Sequence, residues 1–247
     1  MLFPDFSTTE IILACVLFIW AGFVRSGLGF GGAALGLPFM LLIYDQPLFW
    51  LPLIGAHLLF FSAMTLRTRL HDVDWAYLKH ALLFIIPPAL VGVFGLVSLP
   101  NLWILTFIYG ITLFYAIMWL LNRSIHSDSR LRDGFLLVSG GYVAGTSLTG
   151  APLMVAVFVH NVSRQQLRNT LFVLWFILVS IKMSTFAALG VELHILTSLA
   201  LLPVAAIGHV VGLKMHDMLM RNDVVFKRVI GAMLSVVSAL ALWKLYQ

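Results

Sequence analysis

Two short stretches of small and hydroxyl-bearing residues carry most of the chemistry in this sequence. RSGLGFGGAALGLP at 25–38 sets Arg25 and Ser26 ahead of Gly27, Gly29, Gly31 and Gly32. AGTSLTGAPLM at 144–154 sets Thr146, Ser147 and Thr149 ahead of Gly150 and Pro152. Glycines permit unusual dihedrals and close backbone approach, and Pro152 suits the first turn of a helix. A helix that begins after such a stretch turns unsatisfied N–H groups and a partial positive charge toward it, and that end favours anions. Arg25 and Lys182, the latter in SIKMSTF at 180–186, add two cations at apolar positions. His57 and His209 also lie in apolar runs. An imidazole carries a proton near neutral pH, so both are candidates for coupling a proton to another event.

Each of these residues also has a blander reading. Small residues let membrane helices pack closely. Ser and Thr hydroxyls bond back to carbonyls one turn earlier. Arg25 can snorkel toward a polar boundary, Lys182 can face a water-filled gap, and a buried neutral histidine can bond to a carbonyl. The first stretch resembles GxGxxG, but no strand precedes it, which excludes a dinucleotide fold.

The elements that must position these residues follow from composition. Of 247 residues, 61% are hydrophobic and 10% charged, with a mean hydropathy of +1.02. A water-soluble globule of this size cannot bury that much apolar surface. The sequence therefore predicts an all-α polytopic membrane protein, and excludes a nucleic-acid module despite the pI of 9.6. Apolar runs fall at 9–24, 31–44, 48–66, 80–98, 102–121, 134–145, 150–160, 169–189, 195–213 and 229–245. Six can cross a hydrocarbon core of about 30 Å as helices; 9–24, 31–44, 134–145 and 150–160 are too short. The short runs form two broken, re-entrant pairs, one around each small-residue stretch.

The basic residues orient the runs. All but Arg25, Lys182 and Lys244 of the fifteen Lys and Arg residues fall in 67–79, 122–133, 161–168 and 214–228, which the positive-inside rule places in the cytoplasm. Both termini are then outside, in the periplasm of a bacterial inner membrane, and the linker 122–133 is cytoplasmic. Asp5, Glu10, Asp45 and Glu192 fall on the outer side and the other six acids in cytoplasmic loops. Neither cation then has an evident intramembrane carboxylate, and a ligand would supply the counter-charge. The first broken pair begins and ends outside, the second inside, and three spans follow each. The single transmembrane domain 1–247 thus reads as two inverted-topology repeats, 1–121 and 134–247. GFGGAALG at 29–36 aligns with LTGAPLMV at 148–155.

Other signals are negative or weak. MLFPDFSTTE lacks the basic n-region of a secretory signal, so no cleaved peptide is expected. The lone Cys15 excludes an internal disulfide. Trp50, Trp75, Trp103, Trp119 and Trp243 fall near span ends, as an interfacial belt requires, and Trp175 lies deeper. His71, Asp72, Asp74, His216 and Asp217 read as solvated loop polarity. No Walker, Ser-His-Asp or His-Glu-x-x-His pattern is present, so no metal, no cofactor and no enzyme activity is expected.

The chain resembles the sulfite exporter TauE/SafE family, also called the TSUP family of membrane permeases. The resemblance rests on SGLGFGGAALGLP, RTRLHDVDW at 67–75, LRNT at 167–170 and GHVVGLKMHDMLMRNDVVFKRVIGAML at 208–234. It departs from the family at Ala33, where members often carry a third consecutive glycine, and at TSLTGAPLMVAVF, where they often repeat the glycine-rich motif. The resemblance implies two related halves and transport of sulfur-containing or organic anions such as sulfite, sulfonates or sulfoacetate-like compounds. The expectation is a secondary carrier with its substrate between the two stretches near the midplane, alternating access, and a coupling proton or sodium ion. An anion channel using the same residues, or a membrane assembly subunit, is the alternative.

Overall fold

The computed structural model describes residues 3, 6–28, 32–67, 69–221 and 223–247. Among these residues are ten α-helices, one 3₁₀ turn at Leu70–Asp72, and no strand. The helices are α1 (Thr8–Leu28), α2 (Gly32–Ile43), α3 (Pro47–Leu66), α4 (Trp75–Ser98), α5 (Asn101–Leu120), α6 (Arg130–Ser147), α7 (Ala151–Asn161), α8 (Arg164–Ala188), α9 (Ile195–Arg221) and α10 (Asp223–Leu245). Local chemistry sets their ends. Ser7 and Glu10 form a reciprocal capping box at the start of α1. The Asp74 carboxylate accepts the Tyr77 N–H at the start of α4, and Ser129 accepts the Arg132 N–H at α6. Asn122 and Gly190 close α5 and α8 in the left-handed region. There, 6→1 bonds from Arg123 to Met118 and from Val191 to Phe186 satisfy the last carbonyls.

Seven of the described helices are long and apolar enough to cross a membrane: α1, α3, α4, α5, α8, α9 and α10. The chain is a multi-pass, polytopic membrane protein. The expectation for α1 needs correction. Its apolar run is short, but the helix continues through Arg25, Ser26 and Gly27 to 21 residues. α6 likewise extends its run at both ends to 18 residues. Helical hydrogen bonding does not stop where apolarity stops, so each pair consists of a long helix and a short one.

The helices group into two compact units. One comprises Met1–Leu53, Leu99–Ser124 and His194–Gln247; the other comprises Ile54–Ser98 and Ile125–Leu193. Each draws on segments from both halves of the sequence, and the first holds both of its ends. In the first unit α1 packs on α9, and α5 on α10; in the second α4 packs on α6.

Glycines set the closest crossings. A Cβ at Gly208 or Gly212 of α9 would strike the carbonyl oxygen of Ile19 or Phe23 on α1. A Cβ at Gly141 or Gly145 of α6 would strike that of Ile85 or Ala89 on α4. Both crossings step by four residues on each helix, so both pairs run in the same sense. This is the close backbone approach that small-xxx-small spacing allows.

Trp75, Trp103 and Trp243 are exposed, as an interfacial belt requires, but Trp50 is fully buried. Its indole donates to the Tyr44 carbonyl at 2.8 Å and lies against Phe6, Phe18 and Phe49.

Candidate functional site

In the first unit, the close crossing at Gly208 and Gly212 brings one face of α9 against the last turns of α1. His209 and His216 are seven residues apart, so both project from that face. His209 Nδ1 lies 3.1 Å from Arg25 Nη2 and also meets Ser26 Oγ. A guanidinium only donates, so this contact makes Nδ1 an acceptor and leaves the imidazole proton on Nε2. All three side chains are buried. Arg25, Ser26 and His209 thus form one polar cluster from opposite ends of the chain.

Two turns on, His216 Nδ1 donates to the Gly27 carbonyl at 2.6 Å. Gly27 lies in the last turn of α1, where helix carbonyls take donors from outside the helix. Sequence reasoning assigned His216 to loop polarity. Its i,i+7 spacing from His209, across Gly208-x-x-x-Gly212, was the signal that could have found it. Gly32 opens α2 and packs back onto α1, where a Cβ would reach Ala21 O at 2.8 Å and Arg25 Cβ at 3.0 Å. The α2 N-terminus therefore lies beside the Arg25 backbone. Gly29 and Gly31 lie outside the described residues.

In the second unit, α6 ends at Ser147 and Leu148 takes the left-handed conformation at φ 59°. A leucine pays roughly 1–2 kcal/mol there. Its N–H returns to the Ala144 carbonyl. Gly150 has φ −70°, in the right-handed region, so it is not needed for an unusual dihedral. It is needed for space, because a Cβ would strike the Gly140 carbonyl oxygen. Pro152 sits in the first turn of α7, as expected.

The three hydroxyls of this break are buried and already engaged. Thr146 Oγ1 donates to the Tyr142 carbonyl at 3.0 Å, and Ser147 Oγ to the Val143 carbonyl at 3.0 Å. Ser147 has then spent its one proton, so Thr149 Oγ1, 2.6 Å away, is the donor between them. Lys182 of α8 is 2% exposed. Its ammonium donates to the carbonyls of Gly145 at 2.5 Å and Thr146 at 3.1 Å, and its Nζ lies 5.4 Å from the centre of the Phe186 ring. Among the described residues, no carboxylate pairs with it. His57, buried on α3, belongs to this unit, whereas His209 belongs to the other.

The sequence motifs meet within the units. Thr170, in LRNT, accepts the backbone N–H of Asp74, in RTRLHDVDW, at 3.0 Å. Arg25 and Ser26, at the head of SGLGFGG, meet His209 of GHVVG. A family profile described as Sulfite exporter TauE/SafE matches residues 13–241. Neither the curated proteins nor the solved structures gave a match.

Proposed function

Since the chain belongs to the sulfite exporter TauE/SafE family, a family of membrane transporters, we propose that it is a secondary carrier for a small anion. A sulfur-containing or organic anion such as sulfite, a sulfonate or a sulfoacetate-like compound is the substrate class. The observation that carries this reading is the buried Arg25 beside the start of α2, in hydrogen-bonding distance of His209. A guanidinium carries a permanent charge and recognises oxyanions through paired donors, and the α2 N-terminus adds the positive end of a helix.

Depth supports it. The 11 residues of α7 rise about 16 Å, and the 12 of α2 about 18 Å. Either reaches roughly halfway into a hydrocarbon core of about 30 Å. In this reading His209 is the candidate for proton coupling, His57 a second, and Arg25 and Ser26 bind the anion. Gly27 and Gly32 keep the backbone close to it, and Gly29 and Gly31 are proposed with them as substrate-binding residues. Thr146, Ser147, Thr149 and Gly150 shape the other break. The bacterial inner membrane is the proposed location, with periplasmic termini and a cytoplasmic linker at 122–133. The halves 1–121 and 134–247 are proposed as inverted repeats, supported by the recurrence of a long-plus-short helix pair in each.

With no nucleotide-binding motif in the sequence, the driving force is an ion, substrate or electrical gradient. An inside-negative potential drives an anion outward with ~2.3 kcal/mol per charge per 100 mV, enough for export as uniport. Import would need a coupled cation. The test is sulfite and sulfonate flux into proteoliposomes, with and without an imposed potential and pH gradient. A carrier gives saturable flux that responds to one of them. Macroscopic current without saturation would replace the carrier by a channel, and flux blind to both gradients would remove the coupling scheme.

A further inference from the structure

We infer that the ammonium of Lys182 is a tethered occupant of a monovalent-cation site formed by the carbonyls that end α6. The carbonyl of Ala144 is satisfied by the Leu148 N–H, and the next two in line, Gly145 and Thr146, meet Lys182 Nζ. These oxygens lie at the negative end of the helix. In membrane carriers, the C-terminal ends of broken helices and their unwound carbonyls are where small cations coordinate. Lys182 reaches that position from a different helix, α8.

The donor count sets the role. An ammonium has three N–H groups and no acceptor. Two point at carbonyls, and the centre of the Phe186 ring lies 5.4 Å from the charge. Phe186 is itself fully buried, so the ammonium does not face a water-filled gap. Its charge is spent on the protein's own oxygens, and an anion would have to displace those bonds to reach it. Gly145 has a second constraint, since a Cβ there would strike the Ala89 carbonyl oxygen of α4. The cradle's backbone is therefore fixed by packing on α4, and truncating the lysine leaves the oxygens in place. A small ammonium or an alkali cation from solution can then fill the gap. This inference goes beyond the anion reading and stands or falls independently of it.

The test is thermal unfolding of purified protein in choline, sodium or methylammonium chloride at equal ionic strength. Wild type has the same Tm in all three, because the tether already fills the site. In choline, K182A unfolds about 5–10 °C lower, as expected for a buried charge removed from its partners. Methylammonium or sodium restores it saturably, as a ligand of the folded state does, and which of the two acts identifies the cation class. K182M, whose apolar chain occupies the gap, is low in all three salts. Should K182A not survive purification, its folded yield in extracts made with and without methylammonium reads the same comparison. The inference is overturned by K182A with wild-type Tm in choline, by rescue absent in both cations or equal in choline, by K182M responding as K182A does, or by wild type requiring sodium.

Discussion

At the end of α1, Gly27 offers its carbonyl oxygen to the imidazole of His216; at the end of α6, Gly145 and Thr146 offer theirs to the ammonium of Lys182. Both ends lie beside a glycine-keyed crossing with another long helix, and both are followed by a short apolar helix. They differ in where the positive charge goes. In the second unit it closes the helix. In the first, a hydrogen-bond donor closes the helix, and the charge sits on Arg25, which meets His209, whose Nδ1 also meets Ser26 Oγ. Burying a charge is expensive unless its partners are good, so each unit has committed its cation to one task. Backbone closure is the task of Lys182, and ligand recognition is the task proposed for Arg25.

The comparison breaks most visibly at the crossings the two units share. Leucine at Gly145 or Gly208 must displace the backbone carbonyl of Ala89 or Ile19, and overpacking of this kind in a closely packed interior costs several kcal/mol. No monodisperse protein is expected from either variant by size-exclusion chromatography. Gly110→Ala is the control, since nothing lies within 4 Å of the added methyl. Its Tm should hold or rise slightly, because Ala favours a helix interior by about 1 kcal/mol over Gly.

Next in size is the exchange between Arg25 and Lys182. R25A should lose anion affinity by about 10–100-fold, the equivalent of a charged hydrogen bond or two, while inserting normally. K182A should lower Tm first. If both variants lose transport at unchanged Tm, the division of labour between the units is wrong.

Smaller still is His216→Leu, which strips the Gly27 carbonyl of its donor and should cost about 1–3 kcal/mol, or a few degrees of Tm. His216→Gln, which keeps an N–H, should lose less. The smallest effect is expected for Thr149→Val, which removes only the bond to Ser147 Oγ. That is worth about 1 kcal/mol and is read by the same thermal scan.

Helix positions were legible because each apolar run is bounded by charge, Pro or Gly. The capping box at Ser7 and Glu10 went unread, although the SxxE spacing carries its signal. Helix ends were less legible. Arg25 through Gly27 read as a break because glycine and charge are rare within spans, yet an α-helix tolerates both when a neighbour packs against it. At the second break, the glycine marked the position and a leucine took the left-handed turn. The hydroxyls of Thr146 and Ser147 read as ligand donors, but each bonds to a carbonyl one turn earlier. That is a local choice no composition count reveals. The pairing of Arg25 with His209 spans 184 positions, and no local pattern encodes it. GxxxG spacing recurs at 27–31, 32–36, 141–145 and 208–212, and by itself it does not say which helix each stretch meets.

The most direct measurement is saturable sulfite or sulfonate flux in proteoliposomes holding matched amounts of folded wild type, R25K and R25A. Wild type should transport at least one of these anions. R25K should retain part of that flux through its charge, and R25A should need about 10–100-fold more anion to reach half-saturation. Flux in R25A equal to that of wild type at every anion concentration would contradict the assignment of anion recognition to the end of α1.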